Sequence, residues 1–393
     1  MLLRHQQLPR LILTCLLSAA CSGRDDNKAS RVTATTHGPS VTLVDSTRLV
    51  EPENLPLGGY TSFFARAGNG GVFVNDMQFR RLMHFDSVGS FVGVIGKPGD
   101  GPGEFNLPGP LGILPGDSTV MVIDVNRRWA SLFDTRTGSY LRGFTVPFQD
   151  IGTNWTIQDG VAIFALNVSR QLFGRWSMHG DSVKLFGALP GHLRGASGVT
   201  VAYGRTEIVV TDSNVIALLP TEPGLDLFTT DGRLVGWVRL PAARRRGEPF
   251  DLIAQQKKMA RGDRNKILGS SVAGFHRLSS GMLVAVHLDM TLASSGPSSA
   301  RYTDFKMFAT LISTDLRQAC VDALLPIETD VPPIPVFVGD TMFVLTRHVL
   351  ENNQVRSVVY GFVIGPNGCN WVGTGGVQRP RSEDADSSAG LKS

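Results

Sequence analysis

Between residues 60 and 147 the chain alternates short apolar runs with polar turns, and it does so twice in the same order. Gly71-Val-Phe-Val-Asn-Asp76, Arg81-Leu-Met-His-Phe-Asp86, a turn at Gly89 and Phe91-Val-Gly-Val-Ile95 make the first set. Pro108-Gly-Pro-Leu-Gly-Ile113, Val120-Met-Val-Ile-Asp124, Arg128-Trp-Ala-Ser-Leu-Phe-Asp134 and a turn at Gly138 make the second. Apolar runs of this length, bounded by Gly, Asn and Asp, predict buried strands rather than helices. Fainter copies follow over about Trp155–Phe186, Gly198–Val238, Ala273–Val321 and Ile334–Val372. The turns before the last strand of each copy fall at Gly89, Gly138, Gly180, Gly232, Leu316 and Gly368, at intervals of 49, 42, 52, 84 and 52 residues.

Four strands in about 40–50 residues is the repeat of a β-propeller blade. Residues 41–375 therefore predict an all-β, six-bladed β-propeller. Within the long interval, Asp251-Leu-Ile-Ala-Gln-Gln-Lys-Lys-Met-Ala-Arg261 is rich in helix formers and is followed by Gly262. An insertion with one short helix is expected there, over 242–270, between blades four and five; a poorly marked seventh blade is the alternative. Val41-Thr-Leu-Val44 could join the last blade as a strand, closing the ring and removing exposed sheet edges. Residues 376–393 are polar and are expected to form a disordered tail.

The first two copies are joined by Gly96-Lys-Pro-Gly-Asp-Gly-Pro-Gly-Glu-Phe105, and the second contains Asn126-Arg127-Arg128. Glu104-Phe105 and the Asn-Arg pair, set between these strands, resemble the NHL-like six-bladed β-propeller lipoproteins of bacteria. The motifs cover about 60–147, and the period alone extends the resemblance to about 375. The resemblance implies a propeller displayed on the cell envelope, with no activity common to the group.

Composition adds little beyond an ordinary globular protein: 42% hydrophobic, 18% charged, mean hydropathy +0.03. The formal charge of +4 comes from 38 basic and 34 acidic residues; Arg4 and Arg10 lie in the leader, which leaves 36 against 34. No concentrated basic field remains to recruit nucleic acid. Residues 1–20 read as an export signal: Arg4 and Arg10, then the apolar run Leu11-Ile-Leu-Thr-Cys-Leu-Leu17, then Ser18-Ala-Ala-Cys21. That ending resembles a bacterial lipobox, which makes Cys21 the lipid attachment site and residues 21–40 a flexible tether. A signal cleaved after Ala20 is the alternative. The expected location is the bacterial envelope, anchored through lipid on the outer membrane or the periplasmic side. Once Cys15 and Cys21 are set aside, Cys320 and Cys369 remain as a candidate disulfide in a compartment that permits one.

If successive strands run antiparallel, the loops between blades share one face with the turns between second and third strands. Lys97, Gly99, Gly101 and Gly103 could bind an anion through exposed amides there; equally, the glycines could serve only to let the chain cross between blades. Arg81 and Arg128 sit on the same face, as does the basic stretch Arg244-Arg245-Arg246, which reads either as a solvated surface or as a dock for an acidic partner, glycan or lipid headgroup. Asp76, Asp124 and Asp212 end second strands, where a carboxylate caps the turn; a ring of such groups holding calcium is the sharper reading. No HExxH, GxSxG or zinc-ligand spacing occurs.

These observations together predict an envelope-displayed, monomeric, non-enzymatic binding or scaffold module that acts through its loop face without a cofactor. Its partner would be a protein, a glycan or a small molecule. The alternative is a metal-dependent, lactonase-like hydrolase or lyase with its site at the mouth of the propeller channel.

Overall fold

The computed structural model describes residues 38–58, 63–148, 151–158, 161–166, 171–177, 183–188, 206–211, 213–219, 224–244, 266–293, 301–350 and 355–379. They form a six-bladed β-propeller. In chain order, β1 (Ser40–Leu49) is followed by blade I, made of β2 (Phe64–Arg66), β3 (Val72–Asp76), β4 (Arg81–Phe85) and β5 (Phe91–Ile95). A short parallel pair, β6 (Lys97–Pro98) and β7 (Glu104–Phe105), leads to blade II: β8 (Pro108–Ile113), β9 (Thr119–Asp124), β10 (Trp129–Asp134) and β11 (Tyr140–Thr145). Blade III holds β12 (Ile151–Gln158), β13 (Val161–Leu166), β14 (Gln171–Ser177) and β15 (Val183–Ala188). Blade IV holds β16 (Glu207–Val210), β17 (Asn214–Leu218), β18 (Gly224–Thr229) and β19 (Leu234–Arg239). Blade V holds β20 (Lys266–Arg277), β21 (Leu283–Ala293), β22 (Arg301–Ile312) and β23 (Gln318–Leu324). Blade VI holds β24 (Ile334–Val338), β25 (Thr341–Val349), β26 (Val355–Gly365) and, as its outermost strand, β1. Last comes β27 (Trp371–Gly373), a fifth strand on the outer edge of blade V.

Each blade is sandwiched between two others, so its middle strands are covered on both faces. All five residues of β3 and of β4 are buried, so apolar positions such as Val72-Phe73-Val74 and Leu82-Met83 follow one another instead of alternating with polar ones. The outer strand β5 instead alternates. Among the described residues, one apolar cluster fills each gap between neighbouring blades. Phe73, Leu82, Phe105, Val122 and Phe133 fill the gap between blades I and II. Each large side chain buried in this way contributes roughly 1.5–3 kcal/mol, so a single cluster outweighs any one polar contact. Innermost strands touch in cyclic order, and β24 against β2 completes the ring.

The ring is closed by β1, which pairs with β26 from Ser40 opposite Gly365 to Leu49 opposite Ser357. The segment Val41–Val44 does join the last blade, but as part of a strand of 10 residues. This displaces Trp371-Val372 from the place its spacing suggests: it is not the outer strand of blade six. A long antiparallel pairing there excludes a three-residue one, and β27 pairs with β23 instead, Cys320 opposite Trp371. A disulfide joins Cys320 of β23 to Cys369, in the turn just before β27.

Two boundaries also move. Blade five begins at Lys266, so the expected insertion over 242–270 ends too late. Strands β20, β21 and β22 have 12, 11 and 12 residues, and their length accounts for part of the long interval. The helix expected over 251–261 lies outside the described residues, as do the leader, Cys21 and the tether up to residue 37. The tail does not begin at 376, because Gln378 exchanges two backbone hydrogen bonds with Trp237 on the edge of blade IV. The chain thus runs along the rim from blade VI across blade V to blade IV.

Candidate functional site

The loop face is built by carboxylates that hold the crossing chain. Asp76 ends β3 and is fully buried; its Oδ2 accepts from the Gly58 amide (3.2 Å) and Arg81 Nε (3.1 Å), and its Oδ1 from the Phe79 amide. Asp124 does the same for blade II, where Oδ2 takes the Asn106 and Leu107 amides and Oδ1 the Arg127 amide. Each carboxylate has three donors and pins the incoming linker to the turn of its own blade. Asp212 lies outside the described residues, and the strand it was expected to end, Glu207–Val210, is the first of blade IV and not the second, a place taken by Asn214–Leu218. No group of three or more His, Cys, Asp or Glu side chains among the described residues comes together as a metal site.

The glycine-rich crossing is closed on itself. Gly101 donates its amide to Glu104 Oε2 at 2.8 Å, Lys97 Nζ lies 3.1 Å from Glu104 Oε1, and the Gly99 amide donates to the Phe105 carbonyl. The Gly101 amide, with help from Lys97, holds the Glu104 carboxyl below its ordinary range. Gly96 and Gly103 both have φ of +73°, and a Cβ at Gly96 would sit 2.2 Å from the Phe105 ring. Arg127 braces the loop from outside, donating to the Glu104 and Asp100 carbonyls. Gly99 and Gly101 therefore already donate their amides within the loop.

Arg81 is buried against Asp76 and Pro56, whereas Arg128 is exposed at φ +53° and has its counterpart in Arg80 at φ +52°. The Arg244 amide is taken by Asp322. Arg245 and Arg246 lie outside the described residues.

A second site lies on the axis. A cavity of about 500 Å³ is lined by all six innermost strands. Strand edges turned toward an axis leave backbone N–H and C=O groups facing it, and the side chains between them are mostly apolar: Leu111, Ile113, Trp155, Ile157, Val336 and Phe337. The Trp155 indole lies over Gly112, where a Cβ would approach it to 2.6 Å; glycine makes the room for the ring. His276 of β20 stacks on Phe337 of β24, with centroids 4.4 Å apart and planes 10° from parallel. Burial lowers the His276 pKa, against a smaller upward pull from the Gly339 backbone and Asp340.

The other polar wall residues come from separate blades. Arg66 ends β2, and its guanidinium meets Asp45 of β1 at 2.7 Å while covering the Phe343 ring at 4.3 Å. Asp117, at φ +59°, occupies the turn after β8 and lays its carboxylate against Gly68. Glu207, buried, opens β16. Sequence reading missed Arg66, Asp117, Trp155, Glu207 and His276 as a set. Their shared signal is position: each belongs to the first strand of a blade or to the turn that follows it.

No protein-family model matches the chain, and no curated protein matches it. Among solved structures it resembles a DUF4221 family member from Bacteroides vulgatus, with a TM-score of 0.55 and 10% identity, covering 84% of this chain and 99% of that one. It also resembles an exported-protein candidate from Bacteroides fragilis, with a TM-score of 0.50 and 14% identity, covering 85% and 97%. Virginiamycin B lyase from Staphylococcus aureus aligns with a TM-score of 0.44 and 12% identity, covering 81% and 99%. At these identities the likeness is one of fold.

Proposed function

We propose that this protein is a non-enzymatic binding module of the bacterial envelope, lipid-anchored through Cys21, and that its ligand enters the axial channel. One observation carries the reading: six strands from six blades converge on a single cavity of about 500 Å³, whose wall sets polar groups among apolar side chains. That volume falls within the range of small-molecule pockets, about 300–1,000 Å³. The channel takes precedence over the loop face because Asp76, Asp124, Glu104, Lys97 and Arg81 are engaged in holding chain crossings. Envelope display rests on the leader and on the small residues before Cys21.

The test is a thermal-shift screen of envelope metabolites against the mature chain carrying Cys21→Ser, repeated on Ile113→Trp, which fills the channel. Ligands that stabilise the first protein should not stabilise the second. Ligands indifferent to Ile113→Trp but lost on Arg80→Ala with Arg128→Ala would return the site to the loop face. The second reading, a hydrolase or lyase, is supported by His276, the histidine on the channel wall. It requires turnover of a bound ligand that disappears in His276→Gln.

A further inference from the structure

We infer that the axial channel binds a neutral ligand through a carbonyl, of an amide, lactam or ester, that accepts a hydrogen bond from Nη1 of Arg66. This rests on the binding reading above and adds the polar group that the ligand carries. Arg66 ends β2 and stands on the channel wall, with its side chain 9% exposed. Two parts of its guanidinium are engaged by blade VI: Nη2 meets Asp45 Oδ2 at 2.7 Å, and the plane covers the Phe343 ring at 4.3 Å. Nη1 is buried and has no acceptor among the described residues. The fork is rigid and planar, so Nη1 cannot be re-aimed without disturbing what Nη2 and the plane already hold. A charged donor taken out of water without an acceptor is costly, and native folds keep few of them. A ligand in the adjoining channel supplies the acceptor that the described chain does not.

The acceptor is a neutral oxygen rather than a carboxylate. Arg66 already shares its charge with Asp45, Glu207 is buried on the same wall, and Asp117 stands exposed on it in the turn after β8. A carboxylate would bring a further anion among these acids, in a space partly closed to water where like charges repel more strongly. A carbonyl needs no counter-charge, and its bond to a charged donor is stronger than one to a neutral donor. The apolar residues Ile113, Trp155, Ile157, Val336 and Phe337 would cover an apolar, ring-bearing remainder.

The experiment titrates three probes of similar size into the mature Cys21→Ser chain by calorimetry: N-benzylacetamide, 3-phenylpropanoate and 3-phenylpropylammonium. The amide is expected to bind at least about 5-fold more tightly than either ion. Arg66→Lys keeps a cation for Asp45 but loses the second edge, and should weaken the amide about 10-fold or more. Arg66→Met with Asp45→Asn removes both charges of the pair together and should weaken it as much, which keeps the test open if the lysine variant folds poorly. Ile113→Trp, which fills the channel, should abolish amide binding. Either ion binding as tightly as the amide overturns the neutral-carbonyl assignment and leaves the channel as a binding site. An amide affinity indifferent to both Arg66 variants overturns the role of Arg66, its free edge then being served by solvent. If amide binding survives Ile113→Trp, or if none of the three probes binds, the channel reading falls together with the inference.

Discussion

Arg66 and Asp45 meet at 2.7 Å across the seam where the first strand of blade I faces the strand that closes blade VI. The arginine side chain is 9% exposed and the aspartate 34%. Removing either group leaves the other charge partly buried without its partner. Asp45→Asn and Arg66→Ala should each lower unfolding free energy by about 1–3 kcal/mol, below the range for fully buried pairs because Asp45 is partly wet. A double-mutant cycle by urea unfolding checks it; additive effects would show that the pair does not couple the two blades.

The disulfide between Cys320 and Cys369 closes a loop spanning 49 residues and fixes the start of the rim segment to blade V. Cys320→Ser with Cys369→Ser should cost about 2–4 kcal/mol. Amide exchange should quicken at Thr374 and Gln378, whose amides donate to the Arg317 and Trp237 carbonyls. Unchanged exchange at these two positions would mean that strand pairing alone holds the rim.

Two histidines make stability depend on pH in one direction. His84 stacks on Phe73 at 4.4 Å, and burial lowers its pKa despite Asp86; His276 is lowered in the same way against Phe337. Each takes up its proton less readily in the fold than in the unfolded chain, where it does so near its ordinary value of 6.5. Unfolding therefore takes up protons, and stability is full above that value and falls as pH drops below it. The carboxyls held low, Glu104 and Asp134 among them, add their loss only further down, below the ordinary carboxylate range. Urea midpoints at pH 7.5 and 5.5 should differ, and His84→Gln with His276→Gln should flatten that difference.

Gly96 permits a close crossing that no other residue can make. At φ +73°, with the Phe105 ring where its Cβ would lie, Gly96→Ala should cost about 2 kcal/mol or more. Lys97→Ala, on a side chain 73% exposed, should cost less than about 1 kcal/mol. Thermal unfolding of the two variants side by side distinguishes a crossing that depends on glycine from one that depends on its ion pair.

What the sequence determines by itself is whatever is local to a blade. The runs Val72–Val74 and Val120–Ile123 are apolar because each strand is covered on both faces, and Gly89 and Gly138 mark turns that need positive φ. Period and strand type follow from burial and backbone sterics, so six blades are legible without coordinates. Which edge a strand joins is not local. Both Ser40–Leu49 and Trp371–Gly373 suit an outer strand, and only closure of the ring awards blade VI to the first and the edge of blade V to the second. The channel wall is hidden for the same reason. Arg66, Asp117, Trp155 and His276 stand far apart in the chain, in stretches that look like any other strand or turn. They share a cavity only because six first strands are brought round one axis by packing between blades.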